Sequence, residues 1–167
     1  MKFKEVKIHR PSIFRDYRGD YWTLWHADQN EGEGLSRLKF NHDKVSTSRK
    51  HVLRGIHGDS KSHKLLTCLQ GEVYCVVVDN KKDSSTYLQW DWIMLDDKNR
   101  DRILLPPGFG VGYLILSDCA VMHYKWAYDG KYPDVDQQFS LRWDDKKMSI
   151  NWPIKNPILS KRDGALR

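Results

Sequence analysis

An all-β sandwich or small barrel is the fold this sequence predicts, on three observations. Apolar residues alternate at the two-residue period of a strand in almost every apolar run. Prolines stand at the edges of those runs, at Pro106-Pro107, Pro133, Pro153 and Pro157, where a sheet tolerates a missing N–H. Turn residues recur every few positions and no helical period dominates.

Lys64 to Gln70 reads as a strand, and Gly71 marks the turn that follows it. In Glu72 to Asp79, Tyr74, Val76 and Val78 face one way and Val73, Cys75 and Val77 the other. With both faces apolar, this is expected to be a central strand between two layers. Trp90 to Leu105 has room for a short helical turn, with Asp96-Asp-Lys-Asn99 as a loop. Val111 to Leu116, Ala120 to Trp126 and Gln138 to Trp143 read as further strands, separated by the turn chemistry of Ser117-Asp118 and Tyr128-Asp-Gly-Lys131. Pro106-Pro-Gly-Phe-Gly-Val-Gly112 is expected to form a tight bend. No repeat, low-complexity tract or linker divides the chain, so residues 1–167 are expected to form one domain.

Composition narrows the function. The chain has 40% hydrophobic and 30% charged residues, and no run approaches the ~20 apolar residues that cross a bilayer. Its charged start lacks an apolar signal stretch, and its odd, widely spaced cysteines, Cys68, Cys75 and Cys119, are expected to be reduced core residues. Both features point to the cytoplasm. Lysine and arginine exceed aspartate and glutamate by 28 to 22, but the basic residues are interleaved with acidic ones. That pattern suits an acidic small ligand better than nucleic acid. Seven tryptophans and eight tyrosines exceed what a small core needs, so some are expected at a pocket or interface.

Among seven histidines, His57 stands out, because Arg54-Gly-Ile-His-Gly58 puts an imidazole and a cation in an open, glycine-flanked stretch. In an extended chain, residues three apart face opposite ways. Arg54 and His57 can therefore serve one pocket only if Gly55 or a bend redirects the backbone. The same composition also fits a solvated β-turn. His51, His57 and His63 have a six-residue spacing that matches no compact metal motif, so no metal is expected.

As an ordered set, the motifs resemble the dTDP-4-dehydrorhamnose 3,5-epimerase family of cupin-fold sugar-nucleotide epimerases. They run from Phe14-Arg-Asp-Tyr-Arg-Gly19 through Val52-Leu-Arg-Gly-Ile-His57, Lys64 to Val73, Ser84 to Trp90, Pro106-Pro-Gly-Phe109 and Tyr124-Lys125 to Leu159-Ser-Lys-Arg-Asp163. Leu53 to Asp59, Ile103 to Pro107 and Lys125 to Tyr132 are similar to the branch that epimerises GDP-4-keto-heptoses for bacterial capsule. The resemblance implies a cupin-type jelly roll, a homodimer, no cofactor, and a nucleotide-diphosphate 4-keto sugar as substrate, inverted at C3, C5 or both. It also implies that His57 is the base, oriented by Asp163, with Lys64 facing the enolate and Tyr132 (alternatively Tyr128) as the acid. Arg18, Arg54, Arg162 and Tyr21 would hold the nucleotide. The chain departs from the family pattern at Val111, where relatives carry a histidine, and at Thr23, where they carry a glutamate that reads thymine. A 3,4-ketoisomerase and a non-catalytic sugar-nucleotide binder are the alternatives.

Overall fold

The structure is a computed structural model that describes residues 1–26, 35 and 37–164. Among the described residues, twelve strands are formed: β1 (Lys7–His9), β2 (Ile13–Asp16), β3 (Gly19–Trp22), β4 (Phe40–Arg49), β5 (Leu53–Gly58), β6 (His63–Gln70), β7 (Glu72–Asp79), β8 (Trp90–Asp96), β9 (Arg102–Leu105), β10 (Phe109–Ile115), β11 (Cys119–Ala127) and β12 (Phe139–Ser140). One helical turn, α1 (Lys161–Gly164), follows. Two five-stranded sheets, ordered β1-β9-β6-β11-β4 and β12-β5-β10-β7-β8, make an antiparallel sandwich, and β2 and β3 form a separate hairpin. The expected all-β, cupin-type sandwich is what the chain adopts.

The two-sided pattern of β7 explains how the layers assemble. Val73, Cys75 and Val77 enter the core between the sheets, packed with Leu66, Cys68, Phe109, Ile115 and Met122. Tyr74, Val76 and Val78 project from the other face into a second cluster, which is roofed by Trp143, Ile150, Trp152 and Ile154 of the C-terminal segment. Each fully buried valine contributes on the order of 1.5–3 kcal/mol. Such burial anchors a C-terminal segment that has little regular structure of its own.

Two expectations need correction, and the choice left open over Trp90 to Leu105 falls to strand followed by a tight turn. Ile93 and Leu95 face the inner core while Trp90 and Met94 face the outer cluster, so the residues follow the strand period and form β8. Asp96 then reverses the chain by accepting from the Lys98 and Asn99 backbone N–H groups at 2.8 and 2.7 Å. Of Gln138 to Trp143, only Phe139–Ser140 is strand, although Leu141 still exchanges backbone hydrogen bonds with Ile56 of β5 at 2.9 and 3.4 Å. Cys119 opens β11 at its exposed end, whereas Cys68 and Cys75 are buried free thiols. Burial pushes both buried thiols up to about 12.

Arg54 to Gly58 is strand rather than a solvated turn, and its pairing with β10 is irregular. His57 pairs with Val111 and Arg54 with Tyr113, so three steps along β5 match two along β10. Gly55, at φ +114, sits within this extra-residue bulge. A Cβ there would lie 2.5 Å from Gly112 Cα and 2.6 Å from Val111 O. Gly55→Ala is therefore expected to cost more than about 2 kcal/mol in chemical denaturation. Gly130, at φ +74 with nothing within 4 Å, is the control and should lose only about 1 kcal/mol on the same change. Equal losses would mean that the bulge accommodates a side chain.

Candidate functional site

The bulge in β5 has a chemical consequence. It resets the alternation of side chains, so Arg54 and His57, three residues apart, both line one cavity between the two sheets. Opposite them, β6 and β11 contribute Lys64, Tyr124 and Trp126, and β10 adds Val111 and Tyr113. Tyr132, Gln138, Ser160 and Asp163 close the wall from the segments after β11. The cavity encloses about 220 Å³.

Asp163 joins the C-terminal turn to β5. Its Oδ1 lies 2.7 Å from His57 Nε2, and its side chain is 3% exposed against 25% for His57. Ser160, three residues earlier, donates to Asp163 Oδ2 at 2.8 Å and accepts from the Asp163 N–H at 3.1 Å, so one hydroxyl caps the turn and holds the carboxylate. Burial opposes ionisation of Asp163, but hydrogen bonds from His57, Ser160 and the Gly55 N–H overcome it and hold the carboxyl below the usual range. With Nε2 engaged, Nδ1 is the ring nitrogen available to a ligand.

Lys64 forms the second charged centre. Its Nζ is 2.8 Å from Asp59 Oδ2 and 4.7 Å from the Trp126 ring centroid, and both partners of the ion pair are almost fully buried. Burial pulls the Lys64 ammonium below its ordinary value, and the Asp59 carboxylate counters that pull. Burial likewise opposes the charge on Asp59, which Lys64 and the N–H groups of Lys61 and Ser62, at 2.9 and 2.6 Å, outweigh. The Pro-Gly bend fixes this turn, since the Gly108 N–H donates to Asp59 O at 2.8 Å. In both close contacts the donor lies off the line of a well-directed hydrogen bond.

Tyr132 lines the cavity, whereas Tyr128 lies outside it with its hydroxyl 3.0 Å from His42 Nδ1. Tyr113 and Tyr124 meet hydroxyl to hydroxyl, with Ser46 Oγ 2.9 and 3.3 Å away, and burial raises both phenols. Arg54 opens to solvent, and its Nε donates to Ser48 Oγ at 2.9 Å. Among the described residues, no group of three or more His, Cys, Asp or Glu side chains gathers as a metal site.

Three expected ligand contacts are not brought to this cavity. Arg18 and Tyr21 ride on the β2–β3 hairpin, which pairs with neither large sheet; there Arg18 forks onto Asp16. Arg162 is spent on the protein, donating to Ser140 Oγ at 3.1 and 2.8 Å and to Gln138 Oε1 at 3.2 Å. Conversely, Asp59 and Ser160 were not anticipated. The signals were Ser-x-x-Asp spacing for Ser160 and an Asp-x-x-Ser turn before Lys64 for Asp59.

Comparison with known proteins gives concordant results. The family model described as dTDP-4-dehydrorhamnose 3,5-epimerase matches residues 1–167. The dTDP-4-dehydrorhamnose 3,5-epimerase of Shigella flexneri is 34% identical over 162 residues, covering 95% of this chain and 88% of that one. The dTDP-4-dehydrorhamnose 3-epimerase of Streptomyces niveus is 34% identical over 157 residues, covering 92% and 74%. A crystal structure of the Legionella pneumophila dTDP-6-deoxy-D-glucose-3,5-epimerase with dTDP-4-keto-L-rhamnose superimposes with a TM-score of 0.89 at 34% identity, over 99% of this chain and 88% of that one.

The depressed Asp163 value gives a signed pH dependence. A carboxyl lowered on folding stabilises fully above its unfolded value near 3.9 and loses that contribution as pH falls through the folded value. The melting-temperature gap between the native protein and Asp163→Asn should thus be widest near neutrality and close below about pH 4. A gap independent of pH would show that the carboxylate charge is not what stabilises the contact.

Proposed function

The chain belongs to the dTDP-4-dehydrorhamnose 3,5-epimerase family, and from that premise we propose that its cavity epimerises a nucleotide-linked 4-keto sugar at one or both carbons beside the ketone. The observation that carries the reading is the His57–Asp163 pair, 2.7 Å apart, opening into the cavity that Lys64 also lines.

The chemistry follows from the acidity of a C–H next to a carbonyl. His57 takes that proton, and Asp163 holds the ring and faces the imidazolium that results. The C–H electron pair moves into a C–C double bond and the carbonyl pair onto oxygen, giving an enolate. Lys64, kept charged in a buried place by Asp59, offers its ammonium to that oxygen. Inversion then needs a proton from the opposite face, because one base alone returns the original configuration. Tyr132 is the acid in this reading, supported by its place on the cavity wall, and Tyr128 is set aside because its hydroxyl is turned to His42. Arg54, at the open side, suits a diphosphate.

The substrate assignment rests on departures from the family pattern. Thr23 replaces the thymine-reading glutamate, and Leu53 to Asp59 and Lys125 to Tyr132 are similar to the GDP-heptose branch. A GDP-linked 4-keto-heptose is therefore the proposed substrate. Val111, paired with His57 across β10, puts an aliphatic side chain where relatives carry a histidine, which favours inversion at a single carbon. The assembly proposed is a homodimer in which the β2–β3 hairpin reaches the partner's cavity with Arg18 and Tyr21. That arrangement is supported by the hairpin's exposed Phe14, Tyr17 and Tyr21, the last two 97% and 77% exposed. A single domain over residues 1–167 and a cytoplasmic location complete the reading; the free cysteines suit the latter.

One experiment tests enzyme and substrate together. The native protein and His57→Asn are incubated with GDP- and dTDP-linked 4-keto-6-deoxy sugars, hexose and heptose, while nucleotide-sugar binding is followed by calorimetry. The native protein should invert the GDP-heptose at least about tenfold faster than the dTDP sugars, and His57→Asn should bind with similar affinity but lose more than about 100-fold in turnover. Preference for the dTDP sugars would overturn the nucleotide assignment. Undiminished turnover in His57→Asn would overturn the base.

A further inference from the structure

Tyr132 Oη is flanked by two donors, Lys44 from outside the cavity and Gln138 from its wall. Lys44 Nζ, on β4, donates to Tyr132 Oη at 2.6 Å, and Gln138 Nε2 donates to it at 3.4 Å. Gln138 is held independently: its Nε2 also donates to Pro133 O at 2.9 Å, while its Oε1 accepts from Arg162 Nη1 at 3.2 Å. An ammonium has only donors, and this amide turns its nitrogen to Tyr132 and its oxygen to Arg162. Both lone pairs of Oη are thus used, and among the described residues no acceptor takes the phenolic proton. The remaining direction for that proton is the cavity. Lys44 itself does not line the cavity. Its Nζ rests 4.0 Å from the Tyr132 ring centroid and 5.6 Å from that of Trp126.

We propose that Lys44 is a positioning residue for the epimerisation. With Gln138 it saturates the acceptor side of Tyr132 Oη, aims the phenolic proton at the substrate, and meets the charge that remains when the proton leaves. The inference rests on the reading of Tyr132 as the acid. In that step the Tyr132 O–H bond breaks and a C–H bond forms at the α-carbon. The enolate's electron pair makes the new bond as the C4 ketone is restored, and Tyr132 is left as a phenolate. The Lys44 ammonium is already donating to that oxygen, so no group has to move when the charge appears. Water then returns a proton to Tyr132 and takes one from His57, which closes the cycle without any other reactant. Lys44 does not compete with Lys64 in this scheme: one cation faces the ketone oxygen, the other lies behind the acid.

The test uses GDP-linked 4-keto-6-deoxyheptose and dTDP-linked 4-keto-6-deoxyhexose in deuterated water, with α-hydrogen exchange, inversion and KM read separately. Lys44 is an exposed residue, and a thermal melt verifies that each variant is folded. Lys44→Met should slow inversion about tenfold, leave exchange and KM within about twofold, and cause no additional loss when combined with Tyr132→Phe. Lys44→Arg should restore most of the inversion rate. A raised KM with intact kcat would make Lys44 a substrate anchor and overturn the proposal. So would an additive loss in the double variant. If Tyr132→Phe alone inverts at the native rate, the acid assignment fails and the inference falls with it, an outcome distinguishable from the other two.

Discussion

The contact between His57 and Asp163 ties α1 to the end of β5, more than a hundred residues away in sequence. A carboxylate so nearly sealed from water stays charged only if its environment supplies donors, and here an imidazole, a serine hydroxyl and a backbone N–H do so. That requirement sets where the C-terminal segment docks. The segment in turn roofs the outer face of β5, β10 and β7 through Trp143, Trp152 and Ile154. The packing that stabilises the second sheet and the contact that orients the imidazole are therefore parts of one arrangement.

The site separates its charges by wall. The sheet containing β6 brings a buried cation with its own counter-ion, so an ammonium is present without facing His57's carboxylate. The sheet containing β5 brings the imidazole, and the connection after β11 brings a phenol backed by a third cation. Each of these three cavity side chains has a charged partner beside it: Asp163 for His57, Asp59 for Lys64 and Lys44 for Tyr132. Preorganisation of this kind reduces the reorganisation needed when charge moves through an enolate.

Much of this was legible in the sequence, and the limits have physical reasons. Strands such as β7 declare themselves because both faces are apolar and the period is two. Trp90 to Asp96 left room for a helical turn because its strand period shows only once Trp90 and Met94 meet one cluster and Ile93 and Leu95 the other. His57, Lys64 and Asp163 were identifiable as residue types in order, but their meeting depends on a bulge in β5 that local composition only allows. Asp59 was missed because an aspartate in a polar turn looks solvated until the pairing of β6 with β9 and β11 carries Lys64 beside it. Lys44 was missed for a similar reason, since one lysine on an exposed edge strand carries no signal until the chain returns with Tyr132. Arg18 and Tyr21 lie on a hairpin that pairs with neither large sheet and rests instead on the turn between β8 and β9, where Arg15 donates to Lys98 O at 2.7 Å.

The central claim is that this cavity makes an enolate from a 4-keto sugar and returns it inverted. Proton NMR of the native protein with its sugar nucleotide in deuterated water reads this directly. The account predicts that the C3 or C5 proton signal disappears at least as fast as the epimer accumulates, while the carbonyl stays at C4. Retention of every carbon-bound hydrogen, or a carbonyl that moves to C3, would contradict it.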